Sequence, residues 1–361
     1  MQRFARFKGS LDTESAAVAI DQFHSADGSL TYDQDGTMVS IGKTGLRVNG
    51  KQASFVESLE DLEDMHKDLG EGTFAVVKKY RHTKTKKVIA VKIMTIDPML
   101  EQTLGKKLVE LRTLHASKHK YIVKFYGAFY YDAKLLFLLE YMDCGTLGDV
   151  VKRNGPIPEN VLSKITSQLL QGLHYLHTQL HIIHRDIKPS NILVNTKGIL
   201  KITDFGVSGE LAHTHEVART FVGTIRYMSP SRIQGKEHSS KTDIWSLGLT
   251  IGEAALGYFP YRNSEGDEKD NEPTLWDTMQ TIVHKPPPTL PADKFSEEFC
   301  AFFVECLNAE DEKRPDCATL LESSFIKKYE TEDLDVARWM RHLLKKLGAK
   351  KRSKKSESKK I

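Results

Sequence analysis

Read from the N-terminus, the chain changes its hydrophobic period twice. From Asp27 to Val48, short β-branched runs are broken by Asp-Gly and Gly turns, which predicts hairpin strands. Between about 64 and 137, runs such as VVKKY, VIAVKIM and LLFLL predict further strands. One charged, helix-compatible stretch, 100–116, interrupts them. From 145 onward the period is helical. The clearest case runs from Pro158 to Leu180, where Leu162, Ile165, Leu169, Leu173, Leu176 and Leu180 recur every three or four residues and share one face. Pro158 falls in the first turn, where a helix tolerates a missing N–H. The pattern predicts an α+β chain, a small β-rich lobe followed by a larger helical one, with no internal repeat.

Composition narrows the class. The 361 residues suffice for about two structural units, and 40% hydrophobic with 28% charged residues is ordinary for a chain with a full-sized core. No apolar run reaches the roughly 18 residues of a membrane span, and the opening MQRFARFKGS has no signal-peptide segment. The expectation is a chain that is neither secreted nor membrane-spanning. Cys144, Cys300, Cys306 and Cys317 form no C-x-x-C pair, which disfavours a zinc cluster or a disulfide framework and favours the cytosol. The net charge of +4 is a property of the tail: 345–360 holds nine of the 52 Lys+Arg and one of the 48 Asp+Glu. The rest, 43 basic against 47 acidic, is mildly negative. Such a tail reads as solvated and disordered, or as a nuclear-entry signal, or as a segment that docks on an acidic surface.

Two motifs near the N-terminus fail on spacing. Asp33-x-Asp35-Gly36 opens like a calcium loop but has Thr44 at the twelfth position. Gly42-Lys43-Thr44 closes like a P-loop but has Thr37 where the first glycine belongs. Both are turns.

A third motif leads further. Leu69-Gly70-Glu71-Gly72-Thr73-Phe74-Ala75-Val76-Val77 has the form of a glycine-rich loop between strands, whose backbone can approach phosphates. Fifteen residues after Val77, Lys92 closes an apolar strand, and Glu110 follows in the charged stretch. Alone, the lysine would read as an edge solubiliser and Glu110 as a solvated residue. More specific is His184-Arg185-Asp186-Ile187-Lys188-Pro189-Ser190-Asn191, followed after twelve intervening residues by Asp204-Phe205-Gly206. Asp186 can accept a proton from a hydroxyl, Asn191 and Asp204 are hard oxygen donors suited to Mg²⁺ beside phosphate, and Lys188 can neutralise a phosphoryl group in transfer.

This ordered set resembles a protein kinase from about 64 to 328. The resemblance implies the bilobal kinase fold, with ATP and Mg²⁺ as cofactors. It implies that Gly70 and Gly72 close over ATP and that Lys92, paired with Glu110, holds its phosphates. Leu139 would be the gatekeeper, and Glu140, Tyr141 and Met142 the hinge. Leu69, Glu71, Val77 and Ala90 complete the nucleotide set. Asp186, Lys188 and Arg185 belong to the catalytic loop, and Asn191 and Asp204 are the metal ligands. Asp243-Ile244-Trp245-Ser246-Leu247-Gly248 matches a further kinase landmark.

Four segments are similar to the dual-specificity MAP kinase kinases: YIVKFYGAF from Tyr121, KPSNILVN from Lys188, DFGVSG from Asp204 and FVGTIRYMSP from Phe221. The resemblance implies phosphorylation of Thr and Tyr in the T-x-Y loop of a downstream MAP kinase. It also implies activation at Thr214 and Thr220 by a MAP kinase kinase kinase, with Arg185 holding phosphate. The spacing of these threonines resembles the plant branch; Glu216 stands where animal members have a hydroxyl and would give a partial constitutive charge.

Two departures matter. Ala75 replaces the third loop glycine, which would lower ATP affinity modestly. Ser231 stands where the family has a Glu paired with the arginine matching Arg314. Either Asp316 or water then compensates Arg314, or the activation segment is loosely held and Ser231→Glu would tighten it.

The expected organisation is a leader with a docking segment at 1–63, the kinase domain at 64–328, an amphipathic helical docking extension at 329–348 and a basic tail at 349–361. Arg3, Arg6, Lys8 and Leu11 are a thin version of a MAP kinase docking motif. Leu334, Val336, Trp339, Met340, Leu343, Leu344 and Leu347 form one helical face, either packed on the domain or offered to the upstream kinase. A scaffold is a further partner class and a kinase-shaped scaffold the rival function. Nucleic-acid binding rests on the tail alone, without interleaved aromatics, and no membrane partner is expected. The expected location is the cytoplasm, with nuclear entry open to the tail.

Overall fold

The computed structural model describes residues 29–34, 37–72, 75–96, 111, 114–204, 225–236, 239–261 and 274–343. The chain divides into two compact units: Met1–Lys118 with Val123–Tyr141 and Thr178–Ile182, and His119–Ile122 with Met142–His177 and Ile183–Ile361. The division after Tyr141 falls within the predicted hinge.

The first unit holds two antiparallel sheets. Strands β1 (Leu30–Gln34), β2 (Thr37–Gly42), β3 (Gly45–Val48) and β4 (Lys51–Gln52) form a meander in sequence order, which matches the hairpins expected there. Leu30, Ile41 and Leu46 are buried in it. The main sheet contains β5 (Leu62–Gly72), β6 (Ala75–His82), β7 (Val88–Thr95), β8 (Phe125–Tyr131) and β9 (Lys134–Glu140) in the order β5-β6-β7-β9-β8. β7 is central and correspondingly apolar, with Ile89 and Val91 buried beside Leu138, Phe129 and Val56.

The N-terminal meander is a packed part of this unit. Ser54 Oγ accepts the Leu46 N–H at 2.9 Å, and the Phe55 N–H donates to Tyr126 O at 2.6 Å. Between them the connector crosses β8 at Gly127, where φ is +144° and a Cβ would stand 2.4 Å from Ser54 Oγ. Only glycine fits, and the β8–β9 register shifts there, as at a bulge.

The second unit is mainly helical. A small antiparallel sheet of β10 (Gly145–Thr146), β11 (Ile192–Val194) and β12 (Leu200–Ile202) accompanies helices α1 (Leu147–Asn154), α2 (Glu159–Gln179), α3 (Pro230–Ile233), α4 (Lys241–Leu256), α5 (Leu275–His284), α6 (Glu297–Cys306), α7 (Cys317–Leu321) and α8 (Ser324–Lys328). Thr146 and Asp149 form a reciprocal capping box that starts α1. In α2 the predicted face is the buried one: Leu162, Ile165, Leu169, Leu173 and Leu176 are inside, while Leu180 lies one residue past the helix end. α4 is buried on almost every side, polar residues Thr242, Asp243, Ser246 and Thr250 included, as a helix through a core must be.

Residues 336–343 are also helical. Val336 and Met340 are buried, Leu334, Trp339 and Leu343 half-buried, and Leu344 and Leu347 lie outside the described residues, as does the tail. The approach is strapped to α2: Tyr329 Oη donates to Glu159 at 2.9 Å, Lys164 Nζ to Glu330 O at 2.9 Å, and Asn160 Nδ2 to Glu332 at 2.9 Å. Gly198, at φ +72°, admits the helix; a Cβ there would stand 2.7 Å from Ala337 N.

The Ser231 position corrects an expectation. Arg314 is fully buried, and its acidic partner is not Asp316. Its Nη2 donates to Asp311 Oδ1 at 2.7 Å and to Asn308 O at 2.8 Å, its Nε to Asn308 O at 3.0 Å, and its Nη1 to Lys241 O at 2.7 Å. Trp245 flanks the guanidinium. Asp316 instead caps α7 through the Thr319 N–H at 2.8 Å. Ser231 Oγ lies 2.8 and 3.0 Å from the two Asp311 oxygens and 2.9 Å from Ser229 Oγ. The acid has moved to Asp311, and Ser231 reaches Arg314 through it.

This geometry reverses the expected sign of the Ser231→Glu change. Placing a carboxylate against Asp311 will lower the melting temperature in thermal scanning. Asp311→Asn, which leaves a buried guanidinium without a charged partner, will cost about 3–5 kcal/mol. The pair Ser231→Glu/Asp311→Asn will melt above Asp311→Asn alone. A rise for Ser231→Glu with Asp311 intact would overturn the assignment.

Candidate active site

In the first unit the main sheet sets the geometry. Its register pairs Gly70 with Val77, Glu71 with Val76 and Gly72 with Ala75, so the glycine-rich loop is the tip of a long hairpin; Thr73 and Phe74 lie outside the described residues. Val77 opposes Lys92, which opposes Phe137; two residues before Lys92, Ala90 opposes Leu139. Directly opposed residues and i, i+2 neighbours share a face. Val77, Ala90, Lys92 and Leu139 therefore lie together on one face, with Lys79 opposite Ala90 beside them. Leu69 is half-buried, and Gly70 and Glu71 are exposed. A Cβ built on Gly70 meets nothing within 4 Å, so the protein's own packing does not demand a glycine there. The Glu140 N–H donates to Lys124 O at 2.8 Å, and the Lys79 ammonium sits 4.5 Å from the Tyr141 ring centre. Glu110 lies outside the described residues; Leu111 and Leu114 beside it are buried.

In the second unit the catalytic-loop residues converge. Asp186 Oδ1 is 2.9 Å from Lys188 Nζ, and Asp186 Oδ2 accepts from Asn191 Nδ2 at 2.8 Å. That same Nδ2 donates to Asp186 O at 2.9 Å, so the amide nitrogen faces Asp186 and Oδ1 is the atom Asn191 offers elsewhere. Donors thus orient both Asp186 oxygens, an arrangement able to direct the carboxylate at one hydroxyl. The Thr203 N–H donates to Asn191 O at 3.0 Å, which ties the residue before Asp204 to the loop. Asp204 itself has φ +58°. Met142 is buried, and its sulfur lies 3.9 Å from Asn195 Nδ2.

Beneath the loop lies Asp243, fully buried on α4. Its Oδ2 accepts from the His184 N–H and from His177 Nε2, both at 2.8 Å, and its Oδ1 from the Arg185 N–H at 2.8 Å. Burial alone would raise this carboxyl's pKa; the hydrogen bonds donated by His177 and by the His184 N–H help to lower it on balance. His184 is fully buried, and burial lowers its pKa, so it is neutral. Its Nδ1 accepts from the Asp186 N–H at 3.2 Å, which assigns the proton to Nε2, 3.1 Å from Thr203 O.

Arg185 has φ +68°, and its Nε is buried without a hydrogen-bond partner among the described residues. Thr214, Glu216 and Thr220 lie outside the described residues, so no contact to them is assigned. Motif reasoning marked Asp243 as a landmark without giving it a role in the site. It missed His177 and Arg232 altogether. The D-x-W run could have pointed to Asp243; no local signal marks the other two.

Residues 64–326 match the family described as protein kinase domain. Mitogen-activated protein kinase kinase 1 of Arabidopsis thaliana is 40% identical over 312 residues, 86% of this chain and 87% of the relative. Mitogen-activated protein kinase kinase 1c of Physcomitrium patens is 38% identical over 333 residues, 88% and 94% of the two chains. Dual specificity mitogen-activated protein kinase kinase dSOR1 of Drosophila melanogaster is 42% identical over 299 residues, 78% and 74%. With the lysine-bearing sheet, the Asp186–Lys188–Asn191 cluster and a match over most of its length, the chain belongs to the protein kinase family and, within it, to the MAP kinase kinases.

Proposed function

We propose that this kinase transfers the γ-phosphoryl group of ATP to both the Thr and the Tyr of a MAP kinase T-x-Y loop, and that a MAP kinase kinase kinase switches it on at Thr214 and Thr220. The observation that carries the chemistry is Asp186 held between Lys188 and Asn191. Asp186 takes the proton of the attacking hydroxyl, and Lys188 neutralises charge that builds on the phosphoryl oxygens. Lys92 meets the nucleotide phosphates, and the open space at Gly70 suits close approach of backbone N–H groups to phosphate. Leu69, Val77, Ala90 and Leu139 receive the base, with the backbone of Glu140 and Met142 as its polar edge.

The donor set fits Mg²⁺. Asn191 Oδ1 and the Asp204 carboxylate are hard oxygens, with the Asn191 nitrogen already engaged on Asp186. When bound, the cation neutralises charge on the transferring phosphates.

For regulation, the unpartnered Nε of Arg185 is a donor suited to a phosphate added at Thr220. The helix at 336–343 uses Val336 and Met340 for packing; Trp339 and Leu343, half-buried, are the apolar groups it can offer to the upstream kinase. Arg3, Arg6, Lys8 and Leu11 engage the downstream MAP kinase. The site of action is the cytoplasm, with nuclear entry through the basic tail, and neither nucleic acid nor a membrane is a partner.

The test incubates the protein and Mg-ATP with catalytically dead MAP kinases and maps phosphosites by mass spectrometry, with Lys92→Met as the blank. Thr and Tyr modified within one T-x-Y loop is the expected outcome; threonine-only labelling would overturn dual specificity. Asp186→Asn is expected to lower turnover about 10²–10⁴-fold. Separately, Thr220→Ala should abolish activation by an upstream kinase, Thr214→Ala should weaken it, and Thr214→Glu/Thr220→Glu should raise basal turnover. Equal activation of wild type and Thr220→Ala would remove that threonine from the scheme.

A further inference from the structure

Arg232 follows the Ser231 anchor on α3 and has no part in the roles above. Its Nη1 donates to the carbonyl oxygen of Arg185 at 2.6 Å. That carbonyl belongs to the peptide joining Arg185 to Asp186. The N–H of the same peptide donates to His184 Nδ1 at 3.2 Å, while the N–H on the other side of the Arg185 Cα is held by Asp243 at 2.8 Å. Arg185 sits between them at φ +68°, a region that L-residues populate sparsely and keep only where the surroundings over-determine it. Asp243 and His184 alone hold both N–H groups; the carbonyl is left to Arg232.

We infer that Arg232 is a positioning residue for phosphoryl transfer: its guanidinium fixes the Arg185 carbonyl and thereby the peptide that presents Asp186. The choice of residue has a physical reason. The guanidinium is held in place by the charges of Asp243 and Asp186 and repelled by Arg185, so a rigid, permanently charged donor fork suits the position better than a neutral amide. Arg232 also links two parts of the unit. Ser231 fastens the end of the activation segment to Asp311, and the next residue reaches the catalytic loop. Loss of the segment's anchorage would therefore reach Asp186 through one hydrogen bond.

The inference rests on transfer through Asp186 and is independent of which protein accepts the phosphate. The test compares Arg232→Met, which keeps the stem and removes the donors, with Arg232→Lys, which keeps a charged donor, and Arg232→Gln, which keeps a neutral one. ATP hydrolysis without protein substrate gives kcat and the KM for ATP. Hydrogen–deuterium exchange of the peptide containing residues 184–186 reads the loop directly.

Arg232→Met is expected to lose about 10–100-fold in kcat, with KM for ATP within about twofold of wild type and faster exchange over 184–186. Arg232→Lys should recover most of both, and Arg232→Gln less. Equal behaviour of Met and Lys would assign the effect to stem packing and overturn the inference, as would unchanged exchange in Arg232→Met. If the wild type hydrolyses no ATP, the phosphoryl-transfer reading fails, while exchange still decides whether Arg232 holds the loop.

Discussion

A single buried carboxylate organises the catalytic half of this protein. Asp243 lies where an ion of its kind is strongly disfavoured, and it stays ionised because three N–H donors converge on it: the backbone groups of His184 and Arg185 and the ring of His177. His177 can act as donor because its other nitrogen faces the Cys317 sulfur at 3.6 Å. Burial raises that thiol's pKa well above its usual value, so the sulfur keeps its proton and Nδ1 serves as acceptor. A charge in such a place is tolerable only with complete compensation, and complete compensation fixes the compensating groups. The catalytic loop is rigid for the same reason that Asp243 is ionised.

The rest of the site inherits that rigidity. With its backbone N–H on Asp243, His184 can orient its ring so that one nitrogen receives the Asp186 N–H and the other reaches Thr203 O, the residue before Asp204. Asn191 closes the circuit by holding Asp186 with its side chain and the Thr203 N–H with its carbonyl. Asp186 and Asn191, the proposed base and a proposed metal ligand, are thus set by one connected network, which suits chemistry that depends on position more than on covalent participation.

What could be read from the sequence follows from how local each interaction is. The strands of the main sheet, the α2 face from Leu162 to Leu176 and the motif residues Lys92, Asp186, Asn191 and Asp204 each announce themselves within a short window. The N-terminal hairpins were legible too, but not their attachment, because the contact between Ser54 and Gly127 joins residues 73 positions apart. His177 and Arg232 were invisible for the same reason: each acts on a residue dozens of positions away, and neither sits in a motif. Asp311 is the instructive case. It lies three residues before Arg314, within any window, yet the sequence alone points no more to it than to Asp316 or water. What decides between them is a 3-10 turn at Asp311–Lys313 that bends one carboxylate back to the guanidinium, while the other is drawn to the α7 amides.

That exchange also bears on how an activation segment tolerates change. A fully buried arginine needs an acid near it, but the acid need not belong to the segment. Once Asp311 satisfies Arg314, the segment needs only a group that can hydrogen-bond the far side of the Asp311 carboxylate, and a serine hydroxyl does so without bringing a second charge. The interaction changes character from an ion pair between segment and core to a neutral donor on a pre-formed ion pair. Its energy is smaller, because the charged component is internal to 308–314 and persists whether or not the segment is docked. Holding the segment's end then falls more heavily on neighbouring contacts: Ser229 beside Ser231, the Ser246 hydroxyl on Tyr227 O at 2.7 Å, and Arg232 on the catalytic loop. Anchorage spread over several modest bonds makes the docked state of the segment more dependent on each of them than anchorage by one buried ion pair would.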